Sequence, residues 1–300
     1  MTDIDRLIIQ KFREALKASS KQPATVESYS RDAEEFLRYL KSIPLDMLVA
    51  PPESLLWFRD YLGQDAENSI RRKVIGIRQF YRFLASEKLI LESPFDEMPI
   101  PERDDSLEAP LASKDLDTLI SLVSQDNLKS CRDRAILLLL GLEGIKTHEL
   151  IELQWKDFIV SATGTSVLHI PGDKSRSISL DSETKDSLLD YKHYFEKWRS
   201  TLQNQERINF CWIFVSFKGR DGSVVLPKMS RHGLKFMLSE LGEKAKIKNL
   251  HSESLRHLAI EQLISSGKRP EDIMSHLGLR QLGNIGKHLA KKRVAHDQYQ

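Results

Sequence analysis

The sequence predicts two domains: an all-α bundle first, then a mixed α/β domain that is mainly helical with a small antiparallel sheet. Three observations carry this. Apolar residues recur at helical spacing through residues 1–90. The stretch "LESPFDEMPIPERDDSLEAPLAS" (91–113), with four prolines and many acids, then breaks that period and reads as a semi-extended linker. Beyond it, short β-favouring runs separated by polar turns alternate with further helical segments. At 300 residues and 40% hydrophobic content the chain can fill two cores. The boundaries read as 1–98 for the first domain, 99–110 for the linker and 111–300 for the second domain.

In the first domain "IDRLIIQKFREALKAS" places Leu7, Ile8, Phe12 and Leu16 on one helical face. "TVESYSRDAEEFLRYLKS" offers Thr25 as N-cap and Glu27 in the first turn, then runs through Tyr29, Ala33, Phe36, Leu37 and Leu40. "PPESLLWFRDYLGQ" has prolines at its start and Gly63 near its end. "NSIRRKVIGIRQFYRFLASEKL" is a fourth helix, with Asn68 or Ser69 as cap. None of the four covers its own apolar face, so they must pack together. In the second domain "SKDLDTLISLV" and "CRDRAILLLLGLEG" are helices, the latter apolar nearly all round and therefore central. "WKDFIVS", "TSVLHIPGDKSRSISL" and "CWIFVSF" supply the sheet, and "SRHGLKFMLSELGEKAKI", "SESLRHLAIEQLISSG" and "RPEDIMSHLGL" return to helix.

Composition narrows the functional classes. The acidic start "MTDIDRLIIQ" lacks a signal-peptide pattern, and the longest apolar run, "AILLLLGL", is too short to cross a bilayer. A cytoplasmic protein is expected. Cys131 and Cys211 lie far apart and match no metal spacing, so reduced thiols are expected. A net charge of +2 neither requires nor forbids a nucleic-acid partner, so local distribution has to decide.

Two local patterns point to phosphate. In "SIRRKVIGIRQFYRFL", Val74, Ile77, Tyr81 and Leu84 share one helix face while Arg71, Arg78 and Arg82 share another, with Arg72 beside them. Several long donors in a row suit a phosphate backbone, and few acids lie in the helix itself to neutralise them. In "SLRHLAIEQLISSG", Arg256 stands next to His257 on an apolar body, and a guanidinium fork matches two oxygens at once.

In order along the chain, these segments resemble the tyrosine recombinases, or phage integrases, especially the Xer-like bacterial members. "TVESYSRDAEEFLRYL" resembles the first helix of the family's SAM-like core-binding domain, and "SIRRKVIGIRQFYRFLASEKLILESPFDEMPIPERDDSLEAPLASKDLDTLI" resembles its fourth helix and interdomain linker. "AILLLLGLEGIKTHELIELQWKDF" is similar to the box of the first catalytic arginine. "IPGDKSRSISL" is similar to the hairpin of the catalytic lysine, and "SLRHLAIEQLISSG" to the box of the second arginine. The resemblance implies two lobes closing on duplex DNA. Arginines, a lysine and histidine-type donors would surround one phosphate, which a C-terminal tyrosine attacks. It implies no metal, no cofactor, no small-molecule substrate and no membrane. The arginines would stabilise the charge of the pentavalent state and the lysine would protonate the leaving oxygen.

Position by position, the resemblance puts Lys174 at the catalytic lysine and Arg256 at the second arginine. Lys146 stands where the first arginine is expected, followed by Glu149 three residues later; a lysine keeps the charge but loses the bidentate fork. Glu253 and Leu279 occupy the two histidine-type positions, with His251 and His276 nearby in sequence. His288 falls at the tyrosine position, and Tyr299 is the only tyrosine after residue 194. Four of the six positions therefore depart from the pattern, and the losses fall on attacking and proton-donating groups. Cationic groups survive, so Arg71, Arg72, Arg78, Arg82, Lys146, Lys174, Arg231, Arg256 and His257 are the expected DNA contacts.

The first reading is a non-cleaving duplex-binding homologue, acting as an architectural or regulatory factor or as the silent partner of an active recombinase. If bacterial, it would be nucleoid-associated, and a homo-oligomer on DNA is compatible with its basic tail. The second is an active recombinase that attacks with Tyr299 or, less favourably placed, His288. The third keeps the fold only as a protein-interaction scaffold.

Overall fold

The computed structural model describes residues 2–63, 66–102, 110–172, 175–203, 210–218 and 224–279. Its contacts divide the chain into two compact units, Met1–Ser106 and Leu107–Gln300.

The first unit is built from α1 (Asp3–Ala18), α2 (Pro23–Ser42), α3 (Glu53–Leu62) and α4 (Glu67–Ser86). α1 opens on a capping box: the Asp5 N–H donates to Thr2 Oγ1 (3.2 Å) and the Thr2 N–H to Asp5 Oδ2 (2.6 Å). Its buried face is Ile8, Ile9, Phe12 and Leu16, whereas Leu7, expected inside, is 56% exposed. α2 begins two residues before the expected Thr25 cap. Pro23 takes the first helical position, where a missing N–H costs nothing and φ is already preset. α4 likewise starts earlier, at Glu67 after Ala66, with neither Asn68 nor Ser69 as cap.

Aromatic rings fill this core. Phe12, Phe36, Phe58, Phe80, Tyr81 and Phe95 are at most 1% exposed, and the Tyr81 hydroxyl donates to the Met47 carbonyl at 2.9 Å. Phe95 falls within the 1–98 boundary, although it sits in the proline-rich stretch that reads as semi-extended. Its ring lies 4.4 Å from Tyr81 and 5.8 Å from Phe36, edge-on to both. Prolines prevent residues 91–102 from being helical, yet this segment is packed onto the bundle.

The second unit places α5 (Ser113–Ser121) and α8 (Ser182–Arg199) against the central α6 (Leu128–Gly141). Residues 135–140 of α6 are fully buried, as its all-round apolar pattern predicts. A short α7 (Thr147–Leu150) leads into β1 (Phe158–Val160), β2 (Ser166–Ile170) and β3 (Arg176–Ser179), an antiparallel meander in that order. Register pairs Leu168 with Phe158 on one side and with Ile178 on the other, so apolar residues share the buried face. "CWIFVSF" is less regular than expected. Ile213 bonds to Leu153, Trp212 forms one bridge with Gln154, and only β4 (Ser216–Lys218) pairs as a strand, with β5 (Val224–Leu226). Three further helices are described in the unit: α9 (Arg231–Ala245), α10 (Ser252–Ser265) and α11 (Pro270–Leu277).

Among the described residues, no helix is long and apolar enough to cross a membrane, and no cluster of His, Cys, Asp and Glu could hold a metal ion.

Candidate functional site

The site of the second unit is organised by one carboxylate. Lys146 precedes α7 in an extended conformation, and its N–H donates to Glu149 Oε2 at 3.0 Å, closing the first turn. The fork of Arg176, at the start of β3, donates through Nη1 to Glu149 Oε1 (2.8 Å) and through Nη2 to Oε2 (3.0 Å). Lys146 Nζ lies 3.6 Å from the same Oε1. Burial would raise the carboxyl's pKa, but the Arg176 fork, the Lys146 N–H and the two cationic charges outweigh it and hold it down at about 2.

Three cations also converge on the C-terminal end of α11. Arg176 Nε donates to the His276 carbonyl (2.7 Å), Arg256 Nη2 to that of Leu277 (3.2 Å), and Lys146 Nζ to that of Gly278 (3.5 Å). Helix ends leave carbonyls unpaired and carry partial negative charge, so cations are favoured there. Gly278 ends the helix at φ +62°, and a Cβ built on it would fall 2.7 Å from Arg176 Nη1. The position needs glycine both for its left-handed backbone and for the close approach.

Arg256 is 4% exposed and also donates through Nη1 to the Gly144 carbonyl. Burial pulls its pKa below the ordinary value, while the charges of Glu253 and Glu149 oppose that pull. Lys146 and Arg256 are therefore brought together around the end of α11. His257 turns instead toward Glu253, with Nε2 3.5 Å from Oε1 one turn away. That contact holds the exposed Glu253 carboxyl below its usual pKa.

The neighbouring histidines have structural partners. His251 is the N-cap of α10, its Nδ1 accepting the Ser254 N–H at 2.9 Å. His276, expected as a partly exposed helix histidine, is half-buried on α11, with Nε2 3.1 Å from the Glu143 carbonyl and 3.4 Å from Glu143 Oε2. Leu279 packs against the apolar group of Ile260, Leu263, Ile273 and Leu277 and has no side-chain donor to offer. Arg231 is exposed at the start of α9, where Ser230 caps the helix. Lys174, His288 and Tyr299 lie outside the described residues.

The arginine stripe of the first unit has partners within the unit. The acids that α4 lacks come from elsewhere, and the guanidinium groups already have protein partners. Arg71 donates to the Pro101 carbonyl, Arg78 to those of Asp96 and Met98, and Arg82 Nε to Asp96 Oδ1 at 2.9 Å. Arg72 donates to Ser28 Oγ (2.6 Å) and to the buried Asp32. The stripe thus straps residues 96–101 onto the bundle. Its N–H groups that remain available for another ligand are fewer than the spacing alone suggests.

Two residues escaped the sequence reading. Arg176 sat unremarked in "DKSRSISL", although a charged side chain entering a strand whose alternate positions are apolar is a visible signal. The second is exposed His148, on the first turn of α7. Partial desolvation lowers its pKa, and Lys146, Arg231 and Arg256 act in the same direction.

Comparison with known proteins agrees with this architecture. Residues 110–292 match the phage integrase family, and residues 9–88 match the phage integrase N-terminal SAM-like domain. Tyrosine recombinase XerC of Staphylococcus aureus strain MSSA476 is 25% identical over 267 residues, covering 88% of this chain and 85% of its own. XerC of Staphylococcus epidermidis strain RP62A is 24% identical over 270 residues, with the same coverage. Among solved structures, the XerH site-specific recombinase bound to its difH substrate matches at TM-score 0.68 and 15% identity, covering 97% of this chain and 84% of that one. The Tn1549 transposon integrase, solved with a circular intermediate DNA, matches at TM-score 0.63 and 14% identity over 98% of this chain and 99% of that one. The chain belongs to the phage integrase family and is a Xer-like tyrosine recombinase in sequence and fold.

Proposed function

We propose that this chain binds duplex DNA through the recombinase fold and holds a backbone phosphate near Lys146 and Arg256 without cleaving it. The observation that carries the reading is the fate of the two histidine-type positions. Glu253 presents a carboxylate at the first turn of α10, and Leu279 is packed into an apolar group. A carboxylate repels a phosphate, and leucine cannot give a proton to a leaving oxygen. Lys146 supplies charge but not the two parallel donors that fit a pentavalent phosphorus. Attraction is thereby kept while proton transfer and transition-state geometry are weakened. The XerH and Tn1549 relatives, both solved with DNA, support a duplex partner, and a place beside the chromosome in the cytoplasm follows from that partner.

An active recombinase is the second reading. It is favoured by the complete construction around Glu149 and Arg256, and it would attack with Tyr299 or His288. Incubation with a nicked suicide duplex followed by a denaturing gel separates the two. Retardation on a native gel with no covalent species on the denaturing gel is expected. A covalent species abolished by Tyr299→Phe, or by His288→Ala, would establish the active reading instead. Absence of any duplex retention would leave the fold as a scaffold for protein contacts.

A further inference from the structure

Arg176 belongs to neither arginine box, yet it bonds Glu149 of the first and the helix end that Arg256 of the second also holds. Its fork closes on Glu149 beside Lys146, and its Nε holds the carbonyl adjacent to the one that Arg256 holds. We infer that Arg176 is a positioning residue for phosphate binding: it neutralises Glu149, so that Lys146 stays directed to a bound phosphate, and it braces the end of α11 beside Arg256. The inference rests on the duplex-binding reading above.

The argument is one of competition for a carboxylate. Glu149 is 5% exposed, and a buried carboxylate must have charged or hydrogen-bonding partners. Charge-assisted N–H···O bonds are about 2.7–2.9 Å long. Arg176 reaches Glu149 at 2.8 and 3.0 Å, whereas the Lys146 ammonium, which also donates to the Gly278 carbonyl, pairs with it more loosely at 3.6 Å. With Arg176 removed, the cation left paired with Glu149 among the described residues is that ammonium, carried on a flexible stem that can close the gap. Lys146 would then serve Glu149 in place of DNA. Loss of the Nε contact would also free the His276 carbonyl, one residue from the contact Arg256 makes on the same helix end.

The experiment is a filter-binding salt titration of the full chain with a 5′-labelled duplex, for the native protein, Arg176→Gln, Arg176→Lys and the double variant Arg176→Gln/Glu149→Gln. Circular dichroism establishes that each variant is folded. Arg176→Gln should bind about tenfold more weakly near 0.1 M salt and flatten the slope of log affinity against log salt by about one unit, the signature of one lost phosphate contact. Arg176→Lys should fall between Arg176→Gln and the native chain. The double variant should recover most of the lost affinity and slope, because it removes the carboxylate that captures Lys146.

Native affinity and slope in Arg176→Gln would overturn the inference and leave duplex binding standing. A loss that the double variant fails to recover would also overturn it, assigning Arg176 to architecture alone. Absence of salt-sensitive binding by the native chain would remove both the inference and the reading beneath it. Should Arg176→Gln not fold, Arg176→Lys decides: a loss relieved by adding Glu149→Gln supports the inference, and unchanged or unrelieved binding overturns it.

Discussion

The two units each gather arginines against backbone carbonyls, but in different surroundings. On α4, Arg71, Arg78 and Arg82 hold residues 96–101 from the rim of the bundle, and the Arg82–Asp96 pair is nearly half exposed on both sides. Around α11, Arg256 is almost fully buried, and the Arg176 side chain, 9% exposed, pairs with a carboxylate of 5% exposure. Water competes for each contact in the first set and is largely kept out of the second. The same residue type therefore acts as a loose strap in one unit and as a fixed frame in the other. A fixed frame suits the phosphate site proposed above, because little reorganisation is left for the moment of binding.

The comparison breaks first if the strap, and not the ring beneath it, secures residues 91–102. Phe95→Ala should destabilise the first unit by about 3–5 kcal/mol, the usual cost of emptying a buried aromatic site. Urea denaturation measures it, and a loss under about 1 kcal/mol would mean the segment hangs on its arginines.

Glu149 tests the frame through pH. Its folded-state pKa is about 2 against an ordinary 4.5, so the native state binds fewer protons than the unfolded state between those values. The stabilisation is complete above pH 4.5, falls as pH falls and is gone near pH 2; it corresponds to about 3 kcal/mol. Glu149→Gln should remove about that much stability at pH 7 and flatten the acid limb of a stability–pH curve. An unchanged acid limb would show that the carboxylate is solvated and the frame is not closed.

Gly278→Ala sharpens the contrast at the helix end. A methyl there meets Arg176 on a left-handed backbone, and a loss of about 2 kcal/mol in denaturation is expected. A cost below about 0.5 kcal/mol would place the tight approach in doubt. The smallest effect belongs to the strap. Arg82→Ala removes an exposed pair worth less than about 1 kcal/mol. Its mark should be faster amide exchange around Phe95 and Met98, with the denaturation midpoint almost unmoved.

Much of the fold was legible because helical period, proline placement and alternation are local properties. Ile8, Phe12, Phe36, Ile77 and Leu84 could be assigned to a core from spacing alone, and residues 135–140 from unbroken apolarity. Errors arose where local signals were equivocal. Pro23 outcompeted Thr25 as the start of α2, and Phe95 was masked by its proline neighbours. At the candidate site, Lys146, Glu149 and Arg256 stand out in the sequence by their place in ordered boxes. Arg176 was passed over because its partner lies 27 residues earlier, and its second acceptor 100 residues later, in elements that do not announce a contact in sequence.

By itself, the order of residues determined the helical first half, the mixed second half and the identity of the altered positions, since each depends on side chains at fixed offsets. Tertiary structure alone decided which acceptor each guanidinium meets. Asp96 and Pro101 come to α4 from later in the chain, and the end of α11 comes to Arg176 and Arg256 across the fold. An arginine carries its donors wherever it stands, but the carbonyl or carboxylate that accepts them is delivered by packing, and packing is a property of the whole chain.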